Sequence, residues 1–289
     1  MPFGGAARSG PLSTVIRALV LSCHPIPSLA VTAISAGLAA LAGLSLPRAA
    51  LLVAAVFAGQ LSIGWSNDAI DAARDRVSQR SDKPVASGAV SPRLVAVAAA
   101  VALVGAIVLS LALGLLPGLA SLTVIACGWL YNLGLKATVV SFVPYAIAFG
   151  TLPAIATLAL PQPQWPATWA VLAGALFGVS AHLANVLPDL DDDVHTGVRG
   201  LPHRLGQRAT AVACPVLLAA AALVILFGTT GGSGPEPWRW VAAALLLLIS
   251  AAGVVIALRR PTSRALFLIV IVVALSSILL FGFSGQSLS

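Results

Sequence analysis

The sequence predicts an all-α integral membrane protein with nine transmembrane helices. Of its 289 residues, 59% are hydrophobic and 9% are charged, whereas soluble domains carry about 25% charged residues. Apolar runs long enough to cross a hydrocarbon layer of about 30 Å recur along the chain, and short polar or Pro/Gly-rich breaks separate them. No polar segment is long enough to bury a core of its own, so we expect no separate soluble domain.

Nine apolar runs define the predicted spans. They cover residues 24–46, 48–66, 92–113, 115–132, 139–160, 167–187, 209–228, 238–258 and 264–284. We therefore expect a single transmembrane domain over residues 1–289. The first ten residues hold one arginine and are followed by no signal-peptide cleavage pattern, so residues 1–12 are predicted to be a disordered N-terminus.

The distribution of basic residues predicts the orientation in the membrane. With a cytoplasmic N-terminus, fourteen of the 16 lysines and arginines fall on the cytoplasmic side, and only Arg48 and Arg239 fall on the other. Such an asymmetry is typical of multi-pass proteins, and it accounts for the net charge of +7 without nucleic-acid binding. Nine spans then place the C-terminus outside, and we expect the plasma membrane of a prokaryote.

Acidic residues are concentrated in two clusters. Eight of the nine carboxylates lie in residues 67–88 and 189–193, and Glu236 is the exception. Carboxylates in an apolar chain are costly unless a cation binds between them, so these clusters are the leading candidates for a functional site. The orientation above places both clusters at the cytoplasmic face.

The first cluster has the spacing of a helical face. If the second span continues to Asp75, residues Asn67, Asp71 and Asp75 share one face, with Asp68 beside them. Like charges at this spacing repel, and a bound cation would remove that penalty. Oxygen ligands without an adjacent His or Cys favour a hard cation, Mg²⁺ before Mn²⁺ or Ca²⁺.

The second cluster, HLANVLPDLDDDVHTG, begins inside the sixth span. Four of its side chains share a helical face: His182, Asn185, Asp189 and Asp193. We expect Asp191 and Asp192 to point elsewhere, and Pro188 to kink the chain just before the aspartates. From the sequence, His182 is equally compatible with a core role and with a place in a pocket wall.

Cationic residues next to these clusters suit an anionic substrate. Arg74, Arg80 and Lys83 follow the first motif, and Lys136 is the only charge in its loop, YNLGLK. Mg²⁺ held by carboxylates and substrate phosphates, with Lys or Arg on the remaining oxygens, is a usual arrangement for phosphate ligands. A phosphorylated substrate is therefore predicted.

Taken together, these motifs resemble those of the UbiA superfamily of membrane prenyltransferases, in particular its 4-hydroxybenzoate polyprenyltransferase-like members. NDAIDAARD followed by Arg80 and KPVASG resembles the first motif, NDxxDxxxD with a basic-Pro segment. DLDDDVHTG resembles the second motif, DxxxDxxxG, and LPHRLG follows it. YNLGLK resembles the Tyr/Asn-then-Lys segment between the fourth and fifth spans. The resemblance extends over the whole chain in span number and motif order.

The resemblance implies nine helices in a ring-like bundle around a central cavity. It also implies two Mg²⁺ ions that clamp an isoprenyl diphosphate between the motifs. By this analogy Asn67, Asp71 and Asp75 hold one metal, supported by Asp68. Asp189 and Asp193 hold the other.

The resemblance also implies the reaction. An isoprenyl group moves from a polyprenyl diphosphate donor, through an allylic carbocation, to a small-molecule acceptor that is expected to be aromatic or a quinone precursor. The groups expected to bind the diphosphate are Arg74, Arg80, Lys83, Lys136 and Asn185. Catalytic roles are expected for Asp71, Asp75, Asp189, Asp193 and Lys136. The bilayer is a further partner, and no nucleic acid is expected.

Several residues depart from the family pattern. Lys83 stands where an Arg is frequent, Val186 where an Asp is common, Pro188 where Arg is frequent, and Gly200 where Thr often precedes Leu-Pro. These departures concern mainly the metal geometry of the second motif. They argue against the well-studied quinone, haem O and chlorophyll branches.

Three other functions remain open from sequence. Phosphoribosyl transfer to a polyprenyl phosphate would use the same fold. A CDP-alcohol phosphotransferase also uses Asp and Mg²⁺, but its motif needs Asp-Gly where Asp71 is followed by Ala72. An ion transporter would place its acids near the bilayer midplane, whereas these acids lie at the ends of spans two and six.

Overall fold

The computed structural model describes residues 12–78, 83–195, 197–229, 236–282 and 288, and all regular elements within these ranges are helical. The predicted all-α class is thereby confirmed. The predicted disordered segment, residues 1–12, lies outside the described residues except for Leu12.

Twelve α-helices occur in the described ranges. In chain order they are α1 Leu12–Ser22, α2 Pro25–Leu41, α3 Leu46–Val77, α4 Pro92–Ala112, α5 Leu115–Leu133, α6 Val143–Leu158, α7 Thr168–Val186, α8 Leu190–His195, α9 Leu201–Leu205, α10 Gln207–Gly228, α11 Pro237–Arg259 and α12 Ala265–Gly282. Short 3₁₀ turns cover Leu135–Ala137 and Leu187–Asp189.

Each predicted span contains one long helix. How many of these helices cross the membrane is a separate question. Among the described residues, six helices are long and apolar enough to cross, or seven if α1 and α2, which meet at a bend of 61°, form one span. Helices α6 and α12 are shorter and apolar. Nine crossings therefore stay a prediction. Helix α3 runs to Val77, well past the predicted end at residue 66, because the polar first motif continues the helix.

The helices enclose a central space. Helices α2, α3, α5, α6, α7 and α12 contact one another in that order, and α12 returns to α2. Helix α4 packs outside against α3 and α5, while α10 packs against α7 and carries α11. All six inner helices contribute side chains to one cavity. The predicted arrangement of helices around a central cavity is confirmed.

Helices α6 and α7 pack closely because glycines face the neighbouring backbone. A Cβ atom added at Gly178 would lie 2.3 Å from the Tyr145 carbonyl oxygen, and one at Gly174 would lie 2.5 Å from that of Phe149. Small residues allow such close contact in membrane helix pairs. This packing brings Tyr145 to 5.1 Å from the His182 ring, measured between ring centroids.

Ser141 joins the loop after α5 to the segment that follows the second motif. Its Oγ accepts a hydrogen bond from the Leu201 backbone N–H at 3.0 Å and lies 3.0 Å from His182 Nε2. Gly200, the residue before α9, has no side chain with which to cap that helix. Ser141 therefore supplies the cap from another part of the chain.

Gly200 is required here for space. Its φ of −69° suits any residue, but an added Cβ would lie 2.5 Å from the Lys136 carbonyl oxygen and 2.8 Å from Ser141 Oγ. A close contact between two loops thus explains why a glycine stands here in place of the Thr that is frequent in the family. That contact places Lys136 beside the second motif.

We predict that Ser141→Ala lowers the free energy of unfolding by about 1–3 kcal/mol, because it leaves the buried His182 Nε2 and the Leu201 N–H without a partner. Denaturation of the purified protein in detergent measures this change. Thr123→Ala is the matched control, since the exposed Thr123 hydroxyl bonds only to Leu119 in its own helix. Equal stability of the two variants would show that the Ser141 contacts contribute nothing.

Candidate active site

Both acidic motifs line a single cavity of about 460 Å³. Of the predicted site residues, it brings together Asn67, Asp68, Asp71, Arg74, Asp75, Lys83, Lys136, Asn185, Asp189 and Asp193. Arg80 lies outside the described residues. The grouping of the two motifs and Lys136, which are distant in sequence, is therefore observed in the structure.

Asp71 is the most heavily paired carboxylate of the first motif. Lys136 Nζ contacts both of its oxygens, lying 2.6 Å from Oδ2, and Arg74 Nη2 donates to Oδ2 at 2.7 Å. Asp71 is only 5% exposed. Burial lowers the pKa of Lys136 and outweighs Asp71, which raises it. Lys136 therefore lies in a poorly solvated position against a carboxylate.

Lys83 joins the other two aspartates of the motif. Its Nζ lies 3.0 Å from Asp75 Oδ2 and 3.3 Å from Asp68 Oδ1. Burial alone would lower the pKa of Lys83, but the carboxylates of Asp68 and Asp75 outweigh it and raise that pKa. Lys83 is thus held as a cation beside the predicted metal ligands.

Asn132 fixes the orientation of Asn67. Asn132 Nδ2 donates to the Ile63 carbonyl oxygen at 2.9 Å and to Ser66 Oγ at 2.8 Å. A carbonyl can only accept, so Asn132 must present Oδ1 to Asn67, whose Nδ2 donates to it at 3.2 Å. The Asn67 Oδ1 atom is then free of this contact, as a cation ligand requires.

The second motif reaches the cavity through a break in the helix. Helix α7 ends at Val186, a 3₁₀ turn containing Pro188 follows, and α8 begins at Leu190. The proline therefore tightens the chain into a 3₁₀ turn where a kink was predicted. Asn185, Asp189 and Asp193 still line the cavity, whereas Asp191 and Asp192 are exposed, as predicted.

Two histidines at the site were not singled out from the sequence. His24 Nε2 lies 3.0 Å from Asp68 Oδ1, and His203 Nε2 lies 3.5 Å from Asp193 Oδ2. His24 has a φ of 54°, an uncommon value for a residue other than glycine, at the bend between α1 and α2. His24 is titratable and lies at the edge of an apolar span, and this feature of the sequence could have identified it as a site residue.

His182 combines the two roles that the sequence left open. It is fully buried, yet it contributes to the cavity wall. Its ring meets that of Tyr131 in a T-shaped arrangement with centroids 5.6 Å apart, and it lies tilted at 41° to that of Tyr145 with centroids 5.1 Å apart. His182 therefore supports the aromatic wall from behind.

The cavity continues into an apolar pocket. A second space of about 180 Å³ shares the walls formed by His24, Asn67, Tyr131 and Asn185. A third, of about 80 Å³, lies beyond it and shares Phe149 and Phe177 with it. A polar chamber at the motif end thus opens into an apolar interior.

The donor atoms of the site are mainly oxygens, which suit a hard metal ion. Within the described part of the chain, no three His, Cys, Asp or Glu side chains converge on one metal position. Three first-motif carboxylates are instead paired with cationic side chains. Mg²⁺ typically takes one or two carboxylates and completes its shell with water and substrate phosphates. These oxygen donors therefore fit Mg²⁺ that binds together with a phosphorylated substrate.

Several solved structures share this fold. A UbiA homologue from Archaeoglobus fulgidus, bound to GPP and Mg²⁺, aligns with a TM-score of 0.72 at 17% identity, over 93% of this chain and 99% of that one. The apo UbiA homologue from Aeropyrum pernix K1 aligns with a TM-score of 0.70 at 20% identity, over 89% and 96%. A structure of digeranylgeranylglyceryl phosphate synthase gives a TM-score of 0.66 at 15% identity, over 93% and 98%.

No curated protein matches this sequence. The model of the UbiA prenyltransferase family matches residues 28–278, which include both acidic motifs and the inner helices of the bundle. The chain therefore belongs to the UbiA prenyltransferase family, which confirms the predicted family and the predicted enzyme class, a multi-pass membrane prenyltransferase.

Proposed function

We propose that the protein transfers an isoprenyl group from an isoprenyl diphosphate to a small-molecule acceptor in the 460 Å³ cavity. One observation carries this proposal: the oxygen donors of both motifs and three paired cations line a chamber that opens into an apolar pocket. A diphosphate fits the chamber, and its apolar chain can leave past the half-exposed apolar side of that chamber. The apolar pocket can then shield the reacting carbon and hold an acceptor.

Mg²⁺ is the cofactor in this proposal. Its predicted use is confirmed at the level of the family's fold, since the Archaeoglobus fulgidus homologues were solved with Mg²⁺ and GPP or DMAPP. We assign Asn67, Asp71 and Asp75, with Asp68 in support, to one ion. Asp189 and Asp193 are assigned to the other. When bound, Mg²⁺ supplies positive charge that stabilises the leaving diphosphate.

The cationic side chains that pair with the carboxylates are the protein's own contribution to stabilising the leaving diphosphate. Lys83, Lys136 and Arg74 now neutralise the carboxylates. The same side chains would also donate to the oxygens of a diphosphate bound in the chamber, beside the carboxylates that would hold Mg²⁺. They then stabilise charge that develops as the allylic C–O bond breaks. Arg80 and Asn185 complete the proposed diphosphate contacts.

The apolar interior protects the carbocation. Tyr131, Tyr145, Phe149 and Phe177 line the inner pocket, and their ring faces can stabilise positive charge while excluding water. The same rings suit an aromatic acceptor, which captures the carbocation. The donor chain leaves towards the bilayer past Leu21, Ile26 and Leu268, which line the chamber and are about half exposed.

We propose that the site lies at the cytoplasmic side of the membrane. Arg48 begins α3, and the first acidic motif ends the same helix, so about 40 Å separates them along its axis. Arg48 and Arg239 are the two basic residues predicted to be external. The N-terminus is then cytoplasmic, the C-terminus external, and the plasma membrane of a prokaryote is the proposed location.

We predict that Asp71→Asn and Asp189→Asn each weaken Mg²⁺-dependent binding of geranyl diphosphate by about 10–100-fold, because each removes a charged ligand. Titration calorimetry with and without Mg²⁺ measures the change. Asp191→Asn is the control, since Asp191 is exposed and lies outside the cavity lining. Unchanged Mg²⁺-dependent binding in either test variant would contradict the two-motif assignment.

We also predict that Asn132→Leu weakens Mg²⁺ binding by about 10–100-fold in the presence of geranyl diphosphate, because Asn67 loses the partner that orients it. A Mg²⁺ titration at fixed geranyl diphosphate gives the affinity. Ser121→Ala provides the comparison, since Ser121 is a buried polar residue of the same helix that bonds Ser110, away from the site. A change no larger than that of Ser121→Ala would remove Asn132 from this role.

A further inference from the structure

His203 places a buried imidazole in the wall of the chamber that the two acidic motifs line. It belongs to α9, the short helix after the second motif, and its side chain is only 3% exposed. Among the described residues, neither of its ring nitrogens has a hydrogen-bond partner. A buried polar ring without partners is costly. Its place in a cavity wall indicates that a bound group satisfies it.

The backbone on either side of His203 is held in place by other parts of the chain. Ser141 Oγ accepts a hydrogen bond from the Leu201 N–H at 3.0 Å, and the buried Thr210 Oγ1 donates to the Pro202 carbonyl oxygen at 3.0 Å. These bonds tie α9 to the loop after α5 and to α10. The imidazole is therefore positioned by the fold before any ligand binds.

His203 faces a carboxylate of the second motif at a distance that suits a shared metal ion. Its Nε2 lies 3.5 Å from Asp193 Oδ2, whereas a charge-assisted hydrogen bond measures about 2.7–2.9 Å. Two ligands that each lie about 2.1 Å from one ion are about 3.0 Å apart at a right angle and about 3.4 Å apart at a tetrahedral angle. The observed separation is therefore close to that of two ligands on one ion.

The other histidine beside a motif carboxylate does not have this arrangement. His24 Nε2 lies 3.0 Å from Asp68 Oδ1 in a closed hydrogen bond, and Lys83 Nζ approaches the same oxygen at 3.3 Å. His24 is thus satisfied without a metal ion. His203 Nε2 has no such bond, so the two histidines differ in what they can offer to a cation.

We propose that His203 Nε2 is a ligand of the metal ion held by the second motif, so that this position binds Mn²⁺ more tightly than an all-oxygen site would. The inference rests on the proposed function, which assigns Asp189 and Asp193 to that ion. Imidazole nitrogen suits first-row transition metals better than it suits Mg²⁺. Diphosphate oxygens and water supply the remaining ligands. Since the first motif offers oxygen donors, the two ion positions differ in the metal that they prefer.

Pulsed electron paramagnetic resonance of bound Mn²⁺ tests this proposal, because nuclear coupling to an imidazole nitrogen reports a directly bound histidine. The full-length protein in detergent is loaded with Mn²⁺ and inorganic pyrophosphate. We expect the coupling in the wild type and its loss in His203→Gln, which offers an amide oxygen instead. In a competition with Mg²⁺, the preference for Mn²⁺ should fall by about tenfold or more in this variant.

His24→Asn is the matched control. Asn tolerates the left-handed backbone at this position, where φ is 54°, and its side chain can still bond to Asp68. This variant removes the other imidazole next to a motif carboxylate. We expect it to keep the imidazole coupling of the wild type.

Three outcomes would overturn the proposal: wild-type protein that binds no Mn²⁺ or shows no imidazole coupling, coupling that survives in His203→Gln, and coupling that is lost in His24→Asn. His203→Asn is read in the same way if His203→Gln does not fold. Mg²⁺-dependent binding of geranyl diphosphate, measured in the same preparation, separates the two hypotheses. Its presence confines a failure to His203, whereas its absence removes the proposed prenyl transfer itself.

Discussion

Buried carboxylates are the constraint on which the rest of this structure depends. Asp68, Asp71 and Asp75 are at most 5% exposed at the end of a membrane helix, where unpaired charges would be strongly unfavourable. Lysine and arginine side chains from α3, the loop after it and the loop after α5 neutralise them. In the proposed reaction these same cations bind the diphosphate, so the pairing holds both sets of charged groups in one place before substrate binds.

The bundle gives this charged cluster a defined place. Six inner helices enclose an apolar interior, and the motif ends of α3 and α7 open into it from one side. Ser141 and Gly200 lock the Lys136 loop against the segment after the second motif. In the proposed reaction, charge separation at the chamber and capture of a carbocation in the interior occur next to each other.

Local pattern predicted much of this architecture. The apolar runs located the long helices, and the four-residue spacing of Asn67, Asp71 and Asp75 indicated one helical face on condition that the helix continued past residue 66, as it does to Val77. Pairing of the two motifs followed from family resemblance. The partners of the site residues could not be predicted, because contacts such as His24 with Asp68 and Asn132 with Asn67 join residues 44 and 65 positions apart. The need for a glycine at position 200 is apparent only from the structure, because there the Lys136 backbone lies against it.

Ligand discrimination by the wild-type protein tests the central claim most directly. Thermal unfolding in detergent would be followed with geranyl diphosphate, phosphoribosyl diphosphate and a CDP-alcohol, each with and without Mg²⁺. A ligand at 100 times its dissociation constant adds about 2.7 kcal/mol to stability, which is readily detected. A prenyl transferase of this design is stabilised by geranyl diphosphate only when Mg²⁺ is present. Stabilisation by phosphoribosyl diphosphate or the CDP-alcohol alone would contradict it.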